Sequence, residues 1–282
     1  MNVHDARRRQ EVTATATFAA NRAQGEAIFD VRHDGRVTRR GRLHESGSLR
    51  VRFPSPEMPD ELSAVFVNTA GGLAGGDAFA FDITAGEGSR LTLTTAAAEK
   101  VYRSPGPDTR ISVSLRAQAD ATLAWLPQET ILFDRARCER TFAIDLAESA
   151  TLALCEMVVF GRTAMGERMS AGHFVDRWRV RRGGRLVFAE TVRLDEDIGA
   201  VLSRPACANG GVAIGTALFA PGDEALVTRL RGEGEFRGEV GVSAWNGIAM
   251  ARFCAQDATA LRADMTAVLT RARAAPPPRL WL

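Results

Sequence analysis

The sequence predicts a mainly β protein, a solenoid-like (β-helical) stack of strand repeats that carries about two α-helices. Three observations support this: apolar and polar residues alternate along most of the chain, strand units recur with periods of 27 to 34 residues, and only two segments show helical spacing.

Alternation marks half-buried strands because successive side chains leave opposite faces of the backbone. It runs through Leu49-Arg-Val-Arg-Phe53, Phe79-Ala-Phe-Asp-Ile83, Ile111-Ser-Val-Ser-Leu115 and Phe142-Ala-Ile-Asp-Leu146. The repeat is a strand, a short turn, a second strand opening on leucine, then a glutamate ahead of an apolar run. Its turns are Ala85 to Ser89, Ala119-Asp120, Glu148-Ser149 and Gly183-Gly184, and its second strands open at Leu91, Leu123, Leu152 and Leu186. The glutamates are Glu99, Glu129, Glu156 and Glu190, spaced 30, 27 and 34 residues apart. Units of this size stack because each has an apolar face that only a neighbour can cover. A large Greek-key sandwich is the structural alternative.

Helical spacing appears in Ala258 to Arg273, where Leu261, Met265, Val268 and Leu269 share one face behind a capping Asp257. Asp223 to Arg231 is a second, shorter helix after Pro221-Gly222. Pro276-Pro-Pro278 follows the first of these, and the apolar Arg279-Leu-Trp-Leu282 is expected to dock, with Leu280, Trp281 and Leu282 as candidates for an exposed contact surface. Residues 1–24 are expected to form a flexible arm and residues 25–282 a single β-rich domain.

Composition narrows the function. With 45% hydrophobic and 25% charged residues, a chain of 282 residues can bury a sizeable core. A formal charge of +2 offers no field for phosphate backbones, so nucleic acid is not an expected partner. Apolar runs fall short of the roughly 18 residues of a membrane span, and the start lacks a signal-peptide core, so a cytoplasmic chain is expected. Cys138, Cys155, Cys207 and Cys254 form no C-x-x-C pair and are read as buried thiols.

The motifs for chemistry fail on context. Gly71 and Gly76 have P-loop spacing, but Asp77 stands where the phosphate-binding lysine belongs. The glycines of Asn68 to Asp77 are expected to make a tight bend between strands, with Asp77 as the residue to watch. Neither G-x-S-x-G nor H-E-x-x-H occurs, and His173 beside Phe174 is expected to be packed or on the surface. The cluster Asp195, Glu196 and Asp197 could supply paired carboxylates, as in a β-solenoid hydrolase, but is more simply a solvated turn. Pro127 removes a ladder donor and implies an edge or a bulge there, which could aim Glu129 inward or outward. Lys100 is the single lysine among 36 basic residues and Tyr102 the single tyrosine. Lys100 either neutralises a buried carboxylate, where a compact ammonium fits better than a guanidinium, or is a surface lysine that survives by chance.

Taken in order, Asn68 to Asp77, Glu99-Lys-Val-Tyr-Arg-Ser104, Pro127 to Phe133, Gly161-Arg-Thr-Ala-Met-Gly-Glu167, Trp178 and Pro278-Arg-Leu-Trp281 resemble the urease accessory proteins of the UreD (UreH) family. The resemblance covers residues 25 to 282. It implies a scaffold or chaperone rather than an enzyme, one that binds apo-urease and UreF and, through UreF, the GTPase UreG, and assists nickel insertion. It implies no tightly held cofactor, with Ni²⁺ present only in transit. The repeated carboxylates then suggest a polar path for that ion formed by Asp77, Glu99, Glu129, Glu156 and Glu167.

Overall fold

The computed structural model describes residues 22–281 apart from 57, 233 and 274. Residues 1–21 of the expected arm and Leu282 lie outside the described residues. Residues 22–24 already belong to the fold, since β1 begins at Gln24.

The chain enters as β1 (Gln24–His33), β2 (Thr38–Gly47), β3 (Leu49–Arg52) and β4 (Leu62–Asn68). Two similar coils follow: β5 (Ala78–Ala85), β6 (Arg90–Thr95) and β7 (Glu99–Val101), then β8 (Thr109–Ala117), β9 (Thr122–Trp125) and β10 (Thr130–Leu132). The third coil is β11 (Arg137–Leu146) and a long β12 (Thr151–Phe160). That strand does the work of two, pairing with β9 through Thr151 to Leu154 and with β10 through Val158 to Phe160. After β13 (Gly172–Arg182) and β14 (Arg185–Glu196) come α1 (Ile198–Ser203), β15 (Ala213–Ala220), α2 (Glu224–Arg231), β16 (Glu239–Trp245), β17 (Ile248–Ala255) and α3 (Ala258–Ala272).

The result is a solenoid-like stack of about four turns. One wall is a seven-stranded sheet ordered β14-β13-β11-β8-β5-β1-β2, parallel from β1 to β13. The other is a ten-stranded sheet whose centre, β4-β6-β9-β12, is also parallel. The repeat read from the leucines is in register: Leu91 pairs with Leu123 and Leu123 with Leu152. The turns stack as well, with Gly88 N–H donating to Ala119 O at 2.9 Å and Gly183 N–H to Leu146 O at 2.9 Å.

The fourth unit departs from expectation. After Gly183-Gly184, β14 does not cross to the second sheet but folds back antiparallel on β13, pairing Glu190 with Trp178. Two tight glycines at positive φ make a hairpin turn there, whereas the earlier turns let the chain cross between walls. The glutamates are also out of register, since Glu99 pairs with Thr130 and Thr130 with Val158 rather than with Glu129 and Glu156. Among the described residues there are three α-helices, one short helix more than the two segments with helical spacing. The extra one, α1, is a single short segment capped by Asp197, which accepts from Ala200 N–H at 3.0 Å. The other two match expectation, with Asp223 and Asp257 as their caps.

Two cores result. Between the walls an unbroken run of aromatic rings passes from Phe66 through Phe81, Trp125, Phe142 and Trp178 to Phe188, with centroids 4.8 to 6.3 Å apart. A second core packs α2 and α3 on the outer face of the ten-stranded sheet through Leu226, Leu230, Leu261, Met265 and Leu269. Covered on both faces, β12 is buried from Leu152 to Phe160.

Candidate functional site

Four of the motif segments, Asn68 to Asp77, Glu99 to Ser104, Pro127 to Phe133 and Gly161 to Glu167, meet along one corner of the stack. Leu73 from the glycine-rich bend bridges Val101, Val101 pairs with Leu132, and Leu132 with Phe160, all of them buried. One motif from each coil therefore lies directly above the next. The bend needs glycine where neighbours press in. A Cβ on Gly72, at φ +155°, would lie 2.6 Å from the Tyr102 ring, and one on Gly75 would lie 2.0 Å from Ser104 Oγ. Tyr102 donates its hydroxyl to Gly71 O at 3.0 Å and meets Phe133 edge-on at 5.1 Å. Arg162 lies 4.4 Å over Phe133 and chelates Glu167 at 2.8 and 2.9 Å.

The five predicted carboxylates occupy different settings. Asp77, buried, accepts from Ala23 N–H at 2.8 Å and Ala74 N–H at 2.7 Å, so it ties the bend to β1. Glu99 accepts from the Asn68 amide at 3.0 and 3.1 Å. Glu129 is buried and gripped by Arg262 of α3, whose Nε and Nη2 donate to its two carboxylate oxygens. Glu167 is held by Arg162. The structure joins only Glu99 and Glu129 directly, through a backbone bond from Glu99 N–H to Glu129 O at 2.8 Å.

Glu156 lies deepest. Its carboxylate accepts from Trp125 Nε1 at 2.8 Å and from Arg140, which also binds Asp176 through both Nε and Nη2. Arg140 is 3% exposed, and its charge rests 5.4 Å over Phe142 and 5.9 Å over Phe174. One buried cation thus faces two buried carboxylates. Glu156, Asp176 and Arg140 line the inner end of a cleft of about 670 Å³ between the walls, whose other sides include Leu194, Leu202, Thr216, Arg252 and Cys254.

Burial, and then the Asp176 charge, raise the Glu156 carboxyl against the pull of Arg140 and Trp125, to about 7. For Arg140 burial works the other way, but Asp176 and Glu156 hold the guanidinium above its ordinary range. Glu99 is likewise raised by burial to about 7, although Asn68 and the Lys100 amide and charge oppose it. Groups poised there can exchange a proton for a cation near neutral pH. Cys138 is pushed up to about 12 by burial, which makes it a poor thiolate ligand.

Three expectations need correction. Lys100 makes no salt bridge with a buried carboxylate among the described residues, although its charge acts on the neighbouring Glu99. Strand alternation turns it outward between Glu99 and the buried Val101, so its side chain is exposed. Trp281 is no exposed docking residue, because at 6% exposure its indole donates to Leu126 O at 3.1 Å under Arg262. Leu280 is exposed as expected, at 45%. The thiols divide too: Cys138 and Cys155 are buried, Cys254 is half-buried and Cys207 is exposed.

Sequence reasoning missed Arg140 and Asp176, although a pattern was there to find. Cys138, Arg140, Phe142, Ile144 and Leu146 share the inward parity of β11, and Phe174, Asp176, Trp178 and Val180 that of β13. A charge on an apolar parity needs a buried partner.

The model of the family described as UreD urease accessory protein matches residues 23–282. The chain belongs to the UreD family. It is 71% identical to the urease accessory protein UreD of Rhodopseudomonas palustris strain BisA53 over 96% of this chain and 94% of that protein. Against the protein of the same name from Bradyrhizobium diazoefficiens the identity is 67%, over 97% and 99% of the two chains. A third relative, from Rhodopseudomonas palustris strain BisB5, aligns over the full length of both chains at 64%. The corner ladder and the Arg140 cluster thus belong to a UreD-family fold. No described helix is long and apolar enough to cross a membrane.

Proposed function

We propose that the chain is a non-catalytic scaffold of urease maturation in the cytoplasm, which binds apo-urease and UreF, reaches UreG through UreF, and helps nickel arrive in the urease active site. The observation that carries this reading is the family match across residues 23–282. Ni²⁺ is cargo in this reading, and energy comes from GTP hydrolysis on UreG.

The geometry supports a route inside the β-stack. Among Asp77, Glu99, Glu129, Glu156 and Glu167, the best placed to hand on an ion are Glu156, at the inner end of the cleft, and Glu99, held by the neutral Asn68 side-chain amide and the Lys100 backbone N–H. Asp77, Glu129 and Glu167 flank that route, tied to backbone amides or to arginine. Oxygen donors without imidazole or thiolate hold nickel loosely, which suits transfer better than storage. The β-solenoid hydrolase alternative needs two carboxyl groups free to face a polymer, whereas Arg140 engages both Glu156 and Asp176.

A tagged chain expressed with the urease subunits and accessory proteins tests the reading. Recovery of urease and UreF on the tag is expected. Recovery of neither from cells that contain both would overturn it.

A further inference from the structure

Away from the interior cluster, three potential metal ligands converge on the outer face of the seven-stranded sheet. Asp108 stands just before β8, Glu139 lies on β11 and His173 on β13, and one ligand atom from each falls within 4.8 Å of the others. The register brings them there. His173 pairs with Arg137 of β11 on one side and with Asp195 of β14 on the other, while Glu139 follows two residues along the same face.

The histidine is the informative member. It is 7% exposed, and its Nδ1 is bound to the Asp195 carboxylate. Its Nε2 is buried with no hydrogen-bond partner, and lies 3.5 Å from Glu139 Oε1. In the neutral imidazole that donates its Nδ1 proton to Asp195, Nε2 carries the ring lone pair. An imidazole held at Nδ1 by a carboxylate, with its other nitrogen turned toward two more carboxylates, is the arrangement that orients histidine on a metal. A buried nitrogen left without a partner is otherwise costly and uncommon.

We propose that Asp108, Glu139 and His173 form a three-ligand site for one divalent transition-metal ion of the Ni²⁺ or Zn²⁺ type, with Asp195 as the positioning residue for His173. The imidazole nitrogen favours such ions over Mg²⁺ or Ca²⁺, which prefer all-oxygen sites. Arginines compensate the carboxylates when the ion is away: Arg137 pairs with Asp108 at 2.7 Å, Arg177 lies 3.9 Å from Glu139, and Arg193 binds Asp195. Arg137 is 36% exposed and can swing into solvent as the ion enters. The site does not rest on the delivery reading, since it lies on the opposite face of β11 from Arg140.

Equilibrium dialysis of the full chain against Ni²⁺ and, separately, Zn²⁺ tests it. Wild type is expected to bind one more ion per chain than either Glu139→Gln or His173→Ala, and Asp195→Asn should weaken that step by roughly 10- to 100-fold. Glu139 is only half-buried, so its variant keeps the test valid if His173→Ala melts early. Binding of one metal and not the other identifies the ion. Identical stoichiometry and affinity in wild type and Glu139→Gln, for both metals, would overturn the proposal.

Discussion

Arg140 and Glu156 form an ion pair that crosses the interior of the stack, from the seven-stranded wall to the ten-stranded one. Both are almost fully buried, and Asp176 completes the cluster. Removing the cation leaves two carboxylates in an apolar setting. Arg140→Met should therefore cost about 3–5 kcal/mol of stability, whereas Glu156→Gln, which keeps the Trp125 hydrogen bond, should cost about 1 kcal/mol. Urea unfolding of the two variants checks this, and equal losses would contradict the assignment of Arg140 as the shared partner.

Glu99 makes a pH prediction. Its folded carboxyl titrates at about 7 against an ordinary 4.5, so the folded state holds a proton that the unfolded chain has released. The stability tied to that proton is complete below about 4.5 and is lost as pH rises through about 7. Glu156 shifts the same way. Glu99→Gln should flatten the fall in stability between pH 5 and 7.5, by at most about 1.4 kcal/mol per pH unit. An unchanged slope would mean that Glu99 is solvated.

Trp281 closes the second core from the C-terminal side, with Arg262 between it and Glu129. Trp281→Ala removes a buried ring and its bond to Leu126, and is expected to cost about 3–5 kcal/mol. A shift in melting temperature measures it. Leu280→Ala, at an exposed neighbour, should change stability by less than about 0.5 kcal/mol.

Lys100 supplies a negative prediction. With its ammonium in solvent, Lys100→Ala should alter stability by less than about 0.5 kcal/mol. A loss of several kcal/mol in thermal melts would restore the buried pairing that the sequence suggested.

Much of the fold was legible because its period is written in buried leucines. Leu91, Leu123 and Leu152 stand in one ladder, as their spacing implied, because parallel coils repeat the same side chain at the same depth. Leu186 broke the series, since a hairpin and a crossing turn both look like a glycine-rich break between strands. The candidate site was harder to read. Glu156 was marked as one of the repeat glutamates ahead of an apolar run, but in its cluster Arg140 lies 16 residues from Glu156 and Asp176 lies 36 residues from Arg140. Only the stacking of β11, β12 and β13 brings them together. Lys100 misled for the opposite reason, because rarity in composition says nothing about which side of a strand a residue faces.

The claim that Ni²⁺ is passed along carboxylates inside the stack is tested most directly by the nickel content of urease matured with UreF, UreG, GTP and this chain, wild type or Glu99→Gln/Glu156→Gln. Complex assembly is quantified in the same samples. The account predicts intact assembly with nickel incorporation sharply reduced in the double variant. Full incorporation by a double variant that assembles normally would contradict it.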